Sequence, residues 1–169
     1  MNKFITADQY KILTQIPRGR MAVRTQVFCG AIIEKDGKIL MVRSYGKVWK
    51  GWDFPGGKML WGENIFNCVS REVLEETGYT PKPKSLLGIY QRKTELGGED
   101  YLRFIFISSL KKNKRIKIAD PHVEKAEWIN IDKLLGEKMR FRSEQVLKEL
   151  KDYKSGKSFS LDVVKLFVW

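Results

Sequence analysis

Residues 57–79 read GKMLWGENIFNCVSREVLEETGY, and the second half of this stretch carries Glu72, Glu75 and Glu76. Spacings of three and four residues place the three carboxylates on one face of a helix. Phe66, Val69 and Val73 form the adjoining apolar stripe. The carboxylates therefore stand at the rim of a buried face. Like charges at this spacing cost about 0.2–0.5 kcal/mol per pair even on an exposed helix. Partial burial raises that cost, and the C-terminal end of a helix is the wrong end for negative charge. A divalent cation reverses the balance. Carboxylate oxygens are hard ligands, which points to Mg²⁺ or Mn²⁺.

Outward from this helix, expected over 63–77 with Gly78 as its C-terminal cap, strands and helices mix. Upstream, β-branched and apolar residues over 24–33 and 39–42 flank the turn signal Lys35-Asp36-Gly37, which predicts a hairpin. Trp52-Asp53-Phe54 is a short strand candidate stopped by Pro55-Gly56-Gly57. Downstream, strands are expected over 84–92, 101–109 and 126–129, with a turn over 96–100 and a charged loop over 111–117. Helices are expected over 131–135 and 143–153. A capping box, Thr6 followed by Gln9, predicts another helix over 6–16. The tail over 159–169 is apolar enough to pack on the rest. The class is α/β or α+β.

The 169 residues suit one domain spanning 1–169, with 1–20 as an N-terminal extension. A hydrophobic share of 43% and a charged share of 31% exclude disordered and fibrous classes. The apolar runs are too short to cross a bilayer. The start, MNKFITADQYK, lacks the apolar stretch of a signal peptide, so a cytoplasmic location is expected. Cys29 and Cys68 belong to no metal-binding cluster and are read as reduced, buried thiols. One histidine, His122, excludes a multi-His zinc site. The net charge of +12 implies polyanionic company, without choosing among nucleic acid, anionic membrane and phosphorylated metabolites.

The stretch 57–79 fits the pattern G-x5-E-x7-R-E-U-x-E-E-x-G-U, where U is a bulky apolar residue. Gly57, Glu63, Arg71, Glu72, Val73, Glu75, Glu76 and Gly78 match, and Tyr79 stands where an aliphatic is more usual. Here the chain resembles the Nudix hydrolase family, and the stretch is its signature box. Its seven fixed identities, at about 7% background each, would coincide by chance on the order of once in a million. The resemblance implies a mixed β-sheet sandwiched between helices, and hydrolysis of a phosphoanhydride bond with Mg²⁺ or Mn²⁺. It implies Glu72 and Glu76 as metal ligands, with Glu75 and Glu63 close by and the Gly56 carbonyl contributing. Arg71 is expected to orient a glutamate.

The proton acceptor is left open between the box helix (Glu75 or Glu76) and Glu124, in Asp120-Pro121-His122-Val123-Glu124. The substrate site should gather cations and aromatics: Arg24, Arg43 and Arg103 on strands, with Trp49, Trp52 and Trp61 as stacking candidates. YLRFIF (101–106), the Pro121 loop before Trp128, and YKSGKSFSLD (153–162) are similar to a bacterial Nudix phosphatase subgroup. That subgroup acts on nucleoside tri- and diphosphates and on a pyrimidine pyrophosphate of thiamine metabolism. The expected partner is a small phosphorylated metabolite; the alternatives are a nucleotide-sugar hydrolase and, from another class, an RNA-binding or RNA-processing protein. Nucleic acid is not favoured, because the basic residues are dispersed. A monomer or homodimer is expected, with no membrane association.

Overall fold

The computed structural model describes residues 25–45, 51–92, 100–111, 115–136 and 139–167. The expected helix over 6–16, Arg24, Trp49 and most of the turn over 96–100 lie outside the described residues.

Among the described residues, seven strands form one mixed sheet: β1 (Gln26–Lys35), β2 (Lys38–Ser44), β3 (Trp52–Asp53), β4 (Gly56–Lys58), β5 (Pro81–Arg92), β6 (Tyr101–Leu110) and β7 (Val123–Asn130). Strand β1 runs parallel to β6, and the other pairings are antiparallel. Helix α1 (Ile65–Thr77) covers one face; α2 (Ile131–Leu135) and α3 (Glu144–Lys154) cover the other.

The two-sided cover explains why the central strands are continuous apolar runs rather than alternating ones. Cys29, Ala31 and Ile33 of β1 and Phe106 of β6 pack against Val69 and Val73 of α1. Their neighbours Ile32 and Ile105 turn the other way, onto Leu134, Val146 and Leu150 of α2 and α3. The sheet-between-helices architecture that the family resemblance implies is the one found.

Several boundaries differ from expectation. Helix α1 begins at Ile65, because the Asn64 side chain accepts from the backbone N–H groups of Phe66 (3.0 Å) and Asn67 (2.9 Å). Its other end matches: Gly78 adopts φ 78° and donates its N–H to the Leu74 carbonyl at 2.8 Å. Strand β5 starts at Pro81, three residues earlier than 84. Prolines are tolerated there because β5 lies at the edge of the sheet. Strand β4, which carries almost no side chain, was not expected. The tail holds on by a Leu86–Phe159 bridge and by Leu161 packed on the core, while Phe159, Val163, Leu166 and Phe167 stay exposed. Its apolar character therefore does not translate into burial.

Replacing Phe106, wholly buried between sheet and α1, with Ala should cost about 3–5 kcal/mol in chemical denaturation. The same change at exposed Ile89 on β5 should stay within about 0.5 kcal/mol.

Candidate active site

Strands β1 and β2 pair only next to their turn, at Glu34↔Ile39 and Lys35↔Lys38. Beyond it they part. The freed edge of β1 is taken by β4, with Gly30 opposite Gly56 and Phe28 opposite Lys58. Strand β2 instead pairs β3 and β7. A cavity of about 570 Å³ lies where the two strands part. The segment from Asp53 to Gly57 crosses the split, anchored where Ala31 N–H donates to the Pro55 carbonyl at 3.0 Å.

Helix α1 sends Glu72 and Glu76 into this cavity, and both residues are almost fully buried. Glu76 accepts the Gly56 N–H at 2.7 Å. Burial still holds its carboxyl well above the usual range, with the negative charges of Glu72, Asp53 and Asp120 adding to the effect. Burial also raises Glu72, despite its 2.7 Å ion pair with Arg71. Two glycines make room. Gly56 sits at φ 154°, and a Cβ there would meet the Cys29 carbonyl oxygen at 2.3 Å. A Cβ on Gly57 would stand 2.4 Å from the Glu72 carboxylate.

Arg71 organises the remaining acids. Its guanidinium reaches Glu63 (2.9 Å), Glu72 (2.7 Å), Glu75 (3.2 Å) and the Lys58 carbonyl (3.0 Å). Its hydrogen bonds, foremost, hold the Glu63 carboxyl below its usual range. Glu63 also accepts the Leu60 N–H at 3.0 Å, closing the turn that leads into α1. The repulsion expected among the box glutamates is thus offset in part by a residue of the box itself.

Among the described residues, no three His, Cys, Asp or Glu side chains are gathered as a closed metal cage. The donor set suits a cation that does not need one. Mg²⁺ is typically held by one or two carboxylates, with waters and substrate phosphates completing the octahedron. Two buried carboxylates raised by desolvation, beside backbone that carries no Cβ, fit that requirement.

The opposite end of the cavity is aromatic and cationic. Phe28 and Tyr101 meet edge-to-face at 5.2 Å between ring centroids. The Arg92 guanidinium lies over the Tyr101 ring at 5.9 Å. Arg103, on the floor, is gripped by Asp53 at 2.6 and 3.3 Å. Arg142 and Lys58 stand at the rim.

Of the residues singled out in the sequence, Gly56, Glu72, Glu76 and Arg103 line the cavity. Glu63 and Glu75 adjoin it through Arg71. Arg43 and Trp52 do not line it: Arg43 lies over Trp52 at 5.3 Å and pairs with Glu124 at 3.0 Å, while Trp52 packs on the core. Glu124 points to Arg43 because β7 begins at Val123, which makes Glu124 a strand residue rather than a loop one. Asp120 and His122, from the same quoted loop, do face the cavity. Backbone N–H groups of Ala119 and Asp120 donate to the Glu75 carbonyl (2.8 and 2.9 Å), which fastens the loop to α1. Trp61 is wholly exposed in the turn before α1. Sequence reading missed Asp120, Phe28, Tyr101, Arg92 and Arg142. The spacing rules that exposed the box do not connect residues this far apart in the chain. Cys29 and Cys68 are both free and buried, as expected.

A model of the NUDIX domain matches residues 23–150. The chain belongs to the Nudix hydrolase family. ADP-ribose pyrophosphatase of Methanocaldococcus jannaschii is 33% identical over 138 residues, which is 81% of this chain and 79% of that relative. Phosphatase NudJ of Escherichia coli is 24% identical over 150 residues, 86% of this chain and 94% of the relative. Among solved structures, a NUDIX hydrolase from Nitrosomonas europaea superposes with a TM-score of 0.76 at 32% identity, covering 85% of this chain and 98% of the other. The family match and the pyrophosphatase and phosphatase relatives support hydrolysis of a pyrophosphate linkage by this chain. No described helix of this Nudix hydrolase is long and apolar enough to cross a membrane.

The two glycines should separate fold from chemistry. Gly57→Ala meets only the movable end of Glu72, so it should fold normally and lose about a hundredfold in turnover through displacement of that carboxylate. Gly56→Ala meets backbone and should lose about 1–3 kcal/mol of stability from backbone strain alone. Thermal melts run beside the activity assay distinguish the two.

Proposed function

We propose that this Nudix hydrolase cleaves the phosphoanhydride bond of a small nucleoside diphosphate derivative, with the nucleoside against Phe28 and Tyr101 and the diphosphate beside Glu72 and Glu76. The observation that carries this reading is the polarity of one cavity. Along β1, Gly30 faces the glycines that bed Glu72 and Glu76, whereas Gln26 faces Tyr101. Four residues of strand span roughly 13 Å, about the reach of a nucleoside joined to a diphosphate. The named substrate of the Methanocaldococcus relative belongs to this chemical class, which supports the reading.

In this reading Glu72, Glu76 and the Gly56 carbonyl hold Mg²⁺ or Mn²⁺, with Glu63 and Glu75 close behind. Such an ion supplies neutralisation of the diphosphate and activation of the attacking water. The chain's own residues do the rest. Arg71 keeps the glutamates in register. Lys58 and Arg142 at the rim draw in the anionic substrate. Asp120 faces Glu72 and Glu76 within the cavity and is the proton acceptor we favour over Glu75, which is tied to Arg71, and over Glu124, which is held by Arg43. Cleavage between the two phosphorus atoms then yields a nucleoside monophosphate and a phosphorylated remainder.

Product analysis tests this. With ADP-ribose and Mg²⁺, the expected products are adenosine monophosphate and a sugar phosphate, without orthophosphate. Glu76→Gln should lower turnover roughly a thousandfold while the far-UV spectrum is unchanged. Release of orthophosphate from nucleoside di- or triphosphates, with ADP-ribose left intact, would replace this reading with a phosphatase one.

A further inference from the structure

Helix α3 buries an acidic side chain, Glu149, on the other face of the sheet. Glu149 is fully shielded from solvent. Burial lifts its carboxyl to about 7, against the pull of neighbouring Arg103. Its Oε1 accepts a hydrogen bond from Gln145 Nε2 at 2.8 Å and faces Arg103 Nε at 3.7 Å. Its Oε2 has no hydrogen-bond partner among the described residues. A buried carboxyl with an unmatched oxygen opposes folding. An apolar residue of similar volume would satisfy the packing without that cost, so packing does not account for it.

Its connections do. The Tyr101 hydroxyl donates to Gln145 Oε1 at 2.9 Å. The Gln145 amide thus gives its NH₂ to Glu149 and keeps its oxygen for Tyr101. A side-chain amide has one end of each kind, so an acceptor at 149 dictates which end Tyr101 meets. On the other side, Arg103 lies between Glu149 and Asp53. The contacts run Tyr101, Gln145, Glu149, Arg103, Asp53. Tyr101, Arg103 and Asp53 line the cavity, whereas Gln145 and Glu149 lie behind them.

We propose that Glu149 is a positioning residue for the nucleoside end of the cavity: as an acceptor it orients Gln145, which anchors Tyr101 beside Phe28, and it backs Arg103 against Asp53. This inference rests on the nucleoside diphosphate reading of the cavity. Glu149 itself touches no ligand. The substrate's base is read by a wall whose rigidity comes from α3, independently of the acidic helix that does the chemistry.

The test is calorimetric binding without metal or turnover. It uses adenosine monophosphate and inorganic phosphate as probes on the full chain and on Gln145→Leu, Glu149→Leu and Glu149→Gln. Gln145→Leu and Glu149→Leu should weaken adenosine monophosphate roughly three- to tenfold, the worth of one anchoring hydrogen bond, with phosphate affinity changed less than about twofold. Glu149→Gln keeps an acceptor for Gln145 and should bind nearly as the parent does. Equal weakening of both probes, or unchanged nucleotide affinity in Gln145→Leu, overturns the proposal. Should Glu149→Leu fail to fold, Gln145→Leu, at a half-buried position, decides alone. Failure to hydrolyse ADP-ribose with nucleotide binding intact counts against the proposed function and leaves this titration readable. A parent chain that binds no nucleotide overturns both.

Discussion

The guanidinium of Arg71 is the contact on which the rest of the site depends. It is the cation that allows Glu63 and Glu75 to crowd beside Glu72 at one end of the cavity, and it reaches the Lys58 carbonyl to hold β4 against α1. Its position two turns after Glu63 and one residue before Glu72 lets one planar group serve both acids with fork-like geometry. A lysine in its place would present a single point charge and leave one or more of these acids unpaired. What Arg71 does not reach is Glu76, whose charge is met by a single backbone N–H. Glu76 thus faces the cavity beside Glu72, whose ion pair is with Arg71, and that is where a divalent ion of the proposed reading would gain most.

The sheet supplies the space. Had β1 and β2 stayed paired along their length, the segment from Asp53 to Gly57 would have had no edge to join. The parting of the two strands converts a backbone edge into a cavity wall, and β4 satisfies the exposed β1 groups with residues that are mostly glycine. Gly56 and Gly57 serve different neighbours. One clears the β1 backbone, and the other clears the Glu72 carboxylate. Function and fold are therefore tied together at two adjacent residues.

How much of this was legible in the sequence follows from how local each feature is. Helix α1, its Gly78 cap and its carboxylate face rest on spacings of three and four residues, and they stood out in the sequence. The sandwich came from the family resemblance carried by the box; the apolar stretches over 27–33 and 39–42 agree with it, since they need cover on both faces. Strand β4 escaped because Gly56 and Gly57 carry no strand preference; its pairing is imposed by the free edge of β1. Glu124 drew attention as an acidic residue of the expected loop ahead of Trp128, but the onset of β7 at Val123 made Asp120 the loop residue that faces the cavity. Arg43 and Trp52 lie on strands as expected, yet they contact each other rather than the cavity, because pairing between β2 and β3 sets them side by side.

The aromatic and cationic end of the cavity is less legible than the carboxylate end for the same physical reason. Phe28, Arg92, Tyr101, Arg103 and Arg142 come from β1, β5, β6 and the segment before α3, and no periodicity links them. Their meeting depends on the parallel register of β1 with β6, which sets Gln26 opposite Tyr101 and Phe28 opposite Arg103. A shift of that register by one residue would turn Arg103 away from Asp53 and into the α1-side core, at a large cost in buried charge. The ion pair between Arg103 and Asp53 thus penalises wrong registers as well as shaping the floor of the cavity. One face of the sheet carries the acidic helix and the other carries the α3 network. The cavity lies where the sheet opens between them, so its carboxylate end and its aromatic end, the reacting and recognising ends of the proposed reading, rest on separate faces of one fold.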